Sequence, residues 1–342
     1  MAKLILNRLS KTFGAGKPAV NDVSITVRDG GFLALLGPSG CGKTTVLRMI
    51  AGFEQPTDGA ILLGDRVLAD AGSMVPPERR NMAMVFQSYA LWPHMTVAEN
   101  AGYPLKVRGI SGERYRQRVA HALATVRLEA YAERRPSELS GGQRQRVALA
   151  RCLVTEPDVV LLDEPLANLD RHLRQEMEET FREFHATSGA TMVYVTHDQA
   201  EAMALATDVA VMSEGKLLQM AAPAELYARP EGRLVGGLVG QGAILSVSRV
   251  EGAARTLDWA ALRPLLTGNL FESPTSDILV RPQDVLQDGE GIACRVTNVL
   301  YEGERYALRL TLPDGQVLRA YSREPAAVGS LYPVSIRSAW RL

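Results

Sequence analysis

The sequence predicts an α/β domain, built as a mostly parallel sheet covered by helices, followed by a small all-β domain. Residues 1 to about 235 alternate short apolar runs with longer helical patterns, which favours the first arrangement. After about residue 243 the apolar runs are short and rich in β-branched and aromatic residues. Five glycines lie between these regions, in Glu231–Gly242, a stretch interpreted as a flexible boundary. We therefore expect domains at residues 1–236 and 243–342.

The strands predicted for the parallel sheet are short and apolar at consecutive positions, as strands buried on both faces are. They are Phe32–Leu36, Met82–Phe86, Val159–Leu162, Thr191–Thr196 and Val209–Ser213. The N-terminal segment Met1–Arg8 lacks the apolar core of a signal peptide and is interpreted as an ordinary first strand.

The strands predicted for the C-terminal domain suggest a small barrel. They are Ile278–Val280, Ile292–Val299, Tyr306–Leu312, Val317–Tyr321 and Val334–Ile336. Along the third run, Tyr306, Leu308, Leu310 and Leu312 alternate with smaller or polar residues, which is typical of a half-buried antiparallel strand. The segment Leu312–Gln316 fits the x-P-D-G-x turn pattern.

Composition narrows the class of protein. The chain has 342 residues, 46% hydrophobic and 22% charged, which is ordinary for a soluble globular protein. Lys+Arg and Asp+Glu both number 38, so broad electrostatic binding to nucleic acid is not expected. No stretch has the roughly 20 apolar residues that span a bilayer. The three cysteines are widely spaced, which disfavours a disulfide framework or a zinc site and suits a reducing compartment.

A phosphate-binding loop follows the first of the parallel strands and opens a predicted helix, Lys43–Ala51. The run Gly37–Thr45 fits G-x-x-x-x-G-K-[ST], in which small residues let backbone N–H groups turn around a triphosphate. The helix points its positive N-terminal end at the same anion. Lys43 can then reach the outer phosphates and the Thr44 hydroxyl can hold Mg²⁺. The alternative for an isolated match is a chance glycine-rich turn.

Two carboxylates end the strand Val159–Leu162. Asp163 and Glu164 then lie at the carboxyl edge of the sheet, where ligands of open α/β sheets bind. We expect Asp163 to hold Mg²⁺, directly or through water, and Glu164 to accept a proton from the attacking water or to orient it. A solvated Asp-Glu turn is the alternative when no phosphate loop is present.

A second anion site is predicted at Leu139–Gln143. Ser140 is suited to be the N-cap of a helix running to about Thr155, and a Ser-Gly-Gly helix start presents free N–H groups and a hydroxyl. An ordinary capped helix is a serious alternative on these residues alone.

Taken together, these motifs resemble the ATP-binding subunit of an ABC importer with a C-terminal β domain of the OB-like type called TOBE. Leu139–Gln143 is the family's signature motif, and further elements follow in the family's order: Gln87 as the Q-loop, Leu169-Asp170 as the D-loop, and His197 as the switch histidine. Phe13 stands where the family stacks an aromatic ring on adenine. The nucleotide-binding resemblance covers about residues 3–235; the TOBE resemblance, on Ile278–Pro282 and the strands after it, is looser.

The resemblance implies an ABC-type P-loop ATPase fold with a helical subdomain, ATP and Mg²⁺ as ligands, and a role for each matching residue. Glu164, His197 and Gln87 are the implied catalytic residues, with Thr44, Gln87 and Asp163 at Mg²⁺. ATP would contact Phe13, Gly37, Pro38, Ser39, Gly40, Cys41, Gly42, Lys43, Thr44 and Thr45 of one chain. In trans, Ser140, Gly141, Gly142 and Gln143 of a second chain would complete the site, with Asp170 in the D-loop. Core packing remains the alternative for Phe13, and a satisfied strand-end histidine for His197.

The partners implied by the resemblance are a second copy of the chain, membrane permease subunits and, indirectly, a periplasmic or extracellular solute-binding protein. The location would be peripheral, at the cytoplasmic face of the plasma membrane, with no nucleic acid bound. In Ser88–Val97, Trp92 and Met95 are candidate contacts for a short permease helix, with local core packing as the alternative. The chain leans to the ferric-iron group, while polyamine, phosphonate, sulfate and sugar importers have similar ATPases. Other functions to weigh are a soluble ABC ATPase acting on ribosomes or DNA, a nucleotide sensor and an exporter.

Overall fold

A computed structural model describes residues 3–86, 88–167, 169–248, 250, 254–267 and 275–342. Packing divides the chain into two units, residues 1–223 and 224–342. The domain limits expected from the sequence, 1–236 and 243–342, stay a prediction.

The first unit contains two sheets and the helices that cover them. Its elements in chain order are β1 (Leu4–Lys11), β2 (Val20–Val27), β3 (Phe32–Leu36), α1 (Lys43–Ala51), β4 (Asp58–Leu63), β5 (Arg66–Asp70), β6 (Met82–Val85), α2 (Val97–Val107), α3 (Gly112–Thr125), α4 (Gly141–Leu153), β7 (Val159–Asp163), α5 (Arg171–Ser188), β8 (Thr191–Thr196), α6 (Gln199–Leu205), β9 (Asp208–Ser213) and β10 (Lys216–Ala221).

The larger sheet has the strand order β10-β9-β3-β8-β7-β6. Strands β9 to β6 run parallel, and β10 pairs antiparallel to β9 at one edge. The parallel register places Leu36 opposite Thr196, and Asp163 opposite Val195. The carboxyl ends of β3, β7 and β8 therefore meet at one edge of the sheet, and the segments that follow them come together there. All five parallel strands expected from the sequence are present.

The smaller sheet is antiparallel, in the order β2-β1-β4-β5, and of its strands only β1 was expected from the sequence. Alternate residues of the parallel strands face different cores. Val159 and Leu161 belong to the core with α1 and the antiparallel sheet, whereas Val160 and Leu162 belong to the core with helices α2 to α5. Each such buried side chain contributes about 1.5–3 kcal/mol relative to exposure, so burial on both faces anchors the strands that carry the site residues.

The second unit is built on antiparallel strands. Its elements in chain order are α7 (Pro223–Ala228), α8 (Gly232–Leu238), β11 (Ala243–Ser248), β12 (Thr256–Asp258), α9 (Trp259–Thr267), β13 (Thr275–Val280), β14 (Val285–Tyr301), β15 (Tyr306–Thr311), β16 (Val317–Ser322), β17 (Leu331–Ile336) and β18 (Ser338–Arg341). Two four-stranded sheets, β11-β13-β18-β12 and β16-β15-β14-β17, share one apolar core. The predicted turn is confirmed, since Gly315 has φ +88° and its N–H donates to Leu312 O.

Two short helices accompany the strands in this part of the chain, and neither was expected from the sequence. The glycine-rich stretch predicted as a flexible boundary contains helix α8, because Val235 and Val239 lie one turn apart and are both buried. The expected C-terminal strands form two antiparallel sheets, and one further helix lies beside them. Helix α9 follows Asp258, whose carboxylate accepts the Ala261 N–H at 3.0 Å, and it buries Leu262. In both places a buried apolar face one helical turn long overrides the local composition.

No helix in the described part of the chain is both long and apolar enough to cross a lipid bilayer.

Candidate nucleotide site

The phosphate loop joins β3 to α1, as predicted. Gly42 is the N-cap of α1 with φ +102°, and a Cβ there would lie 2.4 Å from Ala19 O, so only glycine fits. The cap offers no side-chain hydrogen bond, and the first turn of the helix carries no acidic residue. The first N–H groups of α1 are thus left for an anion, and the helix dipole adds positive potential at the same point.

Lys43 is folded back onto this loop. Its ammonium donates to Gly37 O at 2.7 Å and to Pro38 O at 3.0 Å, and lies 3.7 Å from the Cys41 sulfur. The side chain is almost fully buried. A buried cation held by neutral carbonyls attracts an anion more strongly than one paired with a carboxylate, because no negative charge offsets it.

Thr44 and Asp163 lie together at the edge of the sheet. The Thr44 hydroxyl donates to Asp163 Oδ1 at 3.3 Å. Burial raises the pKa of the Asp163 carboxyl, the Thr44 hydrogen bond lowers it, and Glu164 raises it further. Among the described residues, no cluster of three or more His, Cys, Asp and Glu side chains could hold a metal. A hydroxyl and one carboxylate nevertheless fit Mg²⁺, which takes few protein ligands and completes its shell with water and phosphate oxygens.

Glu164 and His197 form the second pair at this edge. His197 Nδ1 lies 3.3 Å from Glu164 Oε2, and both side chains are partly exposed. Glu164 has φ +44°, a left-handed conformation that costs energy for a residue with a Cβ. Its N–H donates to Val195 O at 3.0 Å, which fixes the turn against β8. The two residues that the sequence analysis assigned to catalysis are therefore neighbours.

Gln87 lies outside the described residues. The segment after it is held by Arg151 of α4, which donates to Tyr89 O and Ala90 O at 2.7 Å each. Burial lowers the pKa of the Arg151 guanidinium. This contact cannot be predicted from the sequence, because a basic residue in a helix gives no sign of which distant loop it reaches.

The signature segment begins α4 as predicted. Ser140 is the N-cap, its hydroxyl accepts the Gln143 N–H, and Gln143 Oε1 accepts the Ser140 N–H at 2.9 Å. Ser140 is exposed, so this capping box presents the helix start to solvent. Gly142 packs against α5, where a Cβ would lie 2.5 Å from Leu173 Cδ1.

The two remaining predicted residues are both exposed. Asp170 is the N-cap of α5, and its carboxylate accepts the Leu173 N–H at 2.9 Å. Phe13 is half exposed, with the Lys11 ammonium 4.9 Å from the ring centroid. A core role for Phe13 does not fit this exposure, and its stacking on adenine stays a prediction.

Comparisons with known proteins place the chain in a family. The sequence profile described as ABC transporter matches residues 20–167. The spermidine/putrescine import ATP-binding protein of Rubrobacter xylanophilus is 42% identical over 347 residues, covering 98% of this chain and 90% of that protein. The trehalose/maltose import ATP-binding protein of Thermococcus litoralis is 45% identical over 274 residues, covering 80% and 73%. A dimeric, post-hydrolysis ATP-binding cassette bound to ADP and Pi superposes with a TM-score of 0.57 at 29% identity, over 64% of this chain and 98% of that one.

The chain belongs to the ABC transporter family. Within it, the chain is an import ATP-binding subunit, an ATPase whose hydrolysis of ATP powers transport. Such subunits work as dimers with membrane permeases. The preference for ferric iron finds no support in these relatives, whose names refer to polyamines and sugars.

Proposed function

We propose that two copies of the chain close on two ATP molecules, each bound by the phosphate loop of one copy and by Ser140–Gln143 of the other. The observation that carries the proposal is the meeting of two pairs at one sheet edge, Thr44 with Asp163 and Glu164 with His197, beside the N-terminus of α1. The second anion-suited helix start, at α4, then has a ligand: the γ-phosphate held by the partner copy.

The residue roles in this proposal follow the geometry. Thr44 and Asp163 hold Mg²⁺, with Gln87 from outside the described residues, and the ion supplies charge neutralisation at the phosphates. Glu164 accepts the proton of the attacking water. His197, 3.3 Å from Glu164, contacts the γ-phosphate and keeps that carboxylate oriented. The N–H groups of Gly37–Thr45 and the Lys43 ammonium bind the phosphates, while the Phe13 ring stacks on adenine.

The permease contact is proposed on a groove beside the edge strand β6. A cavity of about 380 Å³ lies between Met82 and Met84 of this strand, Tyr103 and Val107 of α2, and Cys152 of α4.

The Ser88–Val97 segment presents an exposed aromatic ring near this groove. Trp92 is 44% exposed, and its ring lies 5.8 Å from that of Tyr103. A short helix of the permease fits this apolar setting, with Trp92 and Met95 at its rim.

The remaining parts of the proposal concern the assembly. The chain sits peripherally at the cytoplasmic face of the membrane, and a solute-binding protein delivers the solute to the permease. Solute choice then resides in those partners. The second unit is proposed as a TOBE-like regulatory domain.

Glu164→Gln tests the assigned base. The amide keeps the shape of the site but cannot accept a proton, so we expect ATP binding and an ATP-dependent dimer to persist while turnover falls at least about 100-fold. Glu179→Gln, at an exposed position of α5, is the matched control and should hydrolyse normally. Near-normal hydrolysis by Glu164→Gln would refute the base.

Mixing two inactive variants tests whether each ATP site is shared between two copies of the chain. Lys43→Ala disables a phosphate loop, and Ser140→Arg blocks a signature segment. In a mixed dimer, one site then carries both defects and the other carries none. We expect the mixture, made in the Glu164→Gln background, to trap a single ATP per dimer, whereas each variant alone traps none. Failure of the mixture to trap ATP would show that each copy completes its own site.

A further inference from the structure

Arg174, in the first turn of α5, joins two segments that leave the sheet from different strands. Its Nη2 donates to Leu169 O at 3.3 Å, in the segment after β7. Its Nη1 donates to Asp198 Oδ2, also at 3.3 Å, in the segment after β8. The first segment contains Asp170 and the second contains His197, so a single guanidinium lies between the D-loop and the switch histidine.

Glu201 gives the same guanidinium a third partner. The Arg174 Nε lies 3.6 Å from Glu201 Oε1, while Glu201 Oε2 accepts the hydroxyls of Tyr194 at 2.6 Å and Thr196 at 2.7 Å. Glu201 is buried, so its carboxylate is a fixed point attached to β8. Thr196 Oγ1 also accepts the Asp198 N–H at 2.9 Å. The residues on both sides of His197 are therefore tied to the network that holds Arg174.

Asp198 has two separate functions that can be tested apart. Its Oδ1 accepts the Ala200 N–H at 2.7 Å and so caps α6, while its Oδ2 faces Arg174. An asparagine in its place would keep the cap, because its side-chain oxygen is an equally good acceptor, and would lose the charge that Arg174 faces.

The chemistry of arginine suits this position. The guanidinium is planar, carries its donors in a rigid fork and is always charged. It can serve a carbonyl on one side and carboxylates on the other at the same time. A lysine ammonium is a single point of charge on a flexible stem, so it can satisfy one of these partners but not hold both segments at a set distance.

We propose that Arg174 is a positioning residue, which transmits the position of the D-loop to the switch histidine through Leu169 O and Asp198. The inference rests on the proposed function, in which Asp170 meets the second copy. When the copies close, the D-loop is fixed, Arg174 is fixed with it, and His197 is held beside Glu164. The same contacts are present in the single chain, so a D-loop displaced by the second copy would carry the displacement through Arg174 to the segment of His197.

The test compares substitutions at Arg174 with Arg182→Met, which removes an exposed arginine from the same helix. We expect Arg174→Met to lower kcat by roughly 10- to 100-fold, because a small displacement of a catalytic group has effects of that size. The KM for ATP and the binding of ATP should change little. Arg174→Lys should lie between the wild type and Arg174→Met, and Arg182→Met should match the wild type.

Asp198→Asn provides a second, milder variant. Alone it should lower kcat with an unchanged melting temperature, since the cap remains. Combined with Arg174→Met it should add nothing further, because both changes break one interaction. Additive losses, or a kcat of Arg174→Met equal to that of Arg182→Met, would overturn the inference. So would a loss of activity that follows lost ATP binding or unfolding.

The outcome separates this inference from the proposed function. If Glu164→Gln abolishes hydrolysis and the mixed dimer traps ATP, but Arg174→Met is fully active, only the role of Arg174 fails. If Glu164→Gln itself turns over ATP, the assigned base fails regardless of Arg174.

Discussion

Two arginines support elements that carry the nucleotide site, and they do so differently. Arg80 is fully buried and donates to four carbonyls at 2.7–3.2 Å: Val75, Met49, Ile50 and Leu68. Arg174 is about one-third exposed, and its three contacts are longer, at 3.3–3.6 Å.

The partners of the two arginines also differ. The four hydrogen-bond acceptors of Arg80 are backbone carbonyls, and two of them lie in the last turn of α1, where a cation is favoured by the helix dipole. Burial lowers its pKa to about 10, so it remains charged at neutral pH. Arg174 contacts carboxylates on segments that leave the sheet. We infer that Arg80 gives the helix after the phosphate loop a fixed support. The segments of the D-loop and His197, which we call the switch side, are instead held by Arg174 contacts that can break and re-form.

The largest expected effect is at Arg80. Arg80→Met would remove a buried charge that donates to four carbonyls, and Ile50 O and Val75 O would lose the donor that the structure gives them, so we expect a loss of about 3–5 kcal/mol in the free energy of unfolding. Denaturant titration of the purified chain measures it. Arg79→Met, at the exposed neighbouring position, is the control and should cost under about 0.5 kcal/mol. A loss below about 1 kcal/mol for Arg80→Met would show that Arg80 is not the fixed structural support that distinguishes it from Arg174.

Packing between α4 and α5 gives the next effect, on the switch side. Gly142→Ala puts a Cβ 2.5 Å from Leu173 Cδ1, so the leucine must move, and we expect a net cost of about 1 kcal/mol because the better helix propensity of alanine offsets part of the overpacking. Gly141→Ala is the control, since its Cβ would meet Leu169 at an ordinary 3.6 Å.

Shortening Leu173 tests the cause. The double variant Gly142→Ala, Leu173→Ala should recover part of the loss relative to Leu173→Ala alone, as denaturant titration would show. If Gly141→Ala costs as much as Gly142→Ala, the close contact is not responsible.

Chemical modification of Cys41 tests the phosphate-loop side. Burial raises the pKa of Cys152 to about 12 and that of Cys294 to about 11, so neither forms a thiolate at neutral pH. All three thiols are buried, so a maleimide should react slowly, and Cys41 is the one that lies in the phosphate loop beside Lys43. We expect the modified protein to bind ATP at least about tenfold more weakly, a change of about 1.4 kcal/mol.

Mass spectrometry locates the label, and nucleotide titration measures the affinity. Excess ATP should protect the thiol, and a Cys41→Ser protein treated in the same way is the control. Unchanged affinity after full modification would show that the loop tolerates the added group.

The smallest effect is expected at Asp163, between the two sides. Burial raises its pKa in the folded chain, so folding favours the protonated form. The stabilisation that Asp163 contributes is fully present below the pKa it has in the unfolded chain, and it is lost as the pH rises through the pKa it has in the folded chain. Near neutral pH the ionised carboxyl is therefore unfavourable, and Asp163→Asn should stabilise the chain within about 1 kcal/mol when Mg²⁺ is chelated.

Thermal unfolding with a chelator, near neutral and at acidic pH, checks the sign. The gain should disappear at acidic pH, where the native residue is protonated. A gain that stays constant with pH would point to a cause other than charge.

The elements that a short stretch of sequence defines by itself were predicted correctly. Phe32–Leu36 and Lys43–Ala51 match their sequence bounds, because a continuous apolar run and a glycine cap define them locally. The antiparallel sheet was largely missed, since its strands carry exposed residues between the buried ones and give a weaker signal. Helix α8 was missed because glycine content outweighed the spacing of Val235 and Val239.

The site follows the same division. The pairs Thr44 with Asp163 and Glu164 with His197 could be expected, since each residue ends a parallel strand or follows the phosphate loop. The supports Arg80, Arg151 and Arg174 could not, because each reaches backbone carbonyls, which have no sequence signature, on segments up to 62 residues away.

Carbonyl groups of the phosphate loop compete with a bound nucleotide for the Lys43 ammonium. The phosphates of a nucleotide can bind the Lys43 ammonium only by displacing the carbonyl oxygens of Gly37 and Pro38, which already accept hydrogen bonds from it. Affinity at this loop is thus a difference between internal and external partners. A nucleoside monophosphate, too short to reach the ammonium, leaves it bound to the loop and forgoes that gain.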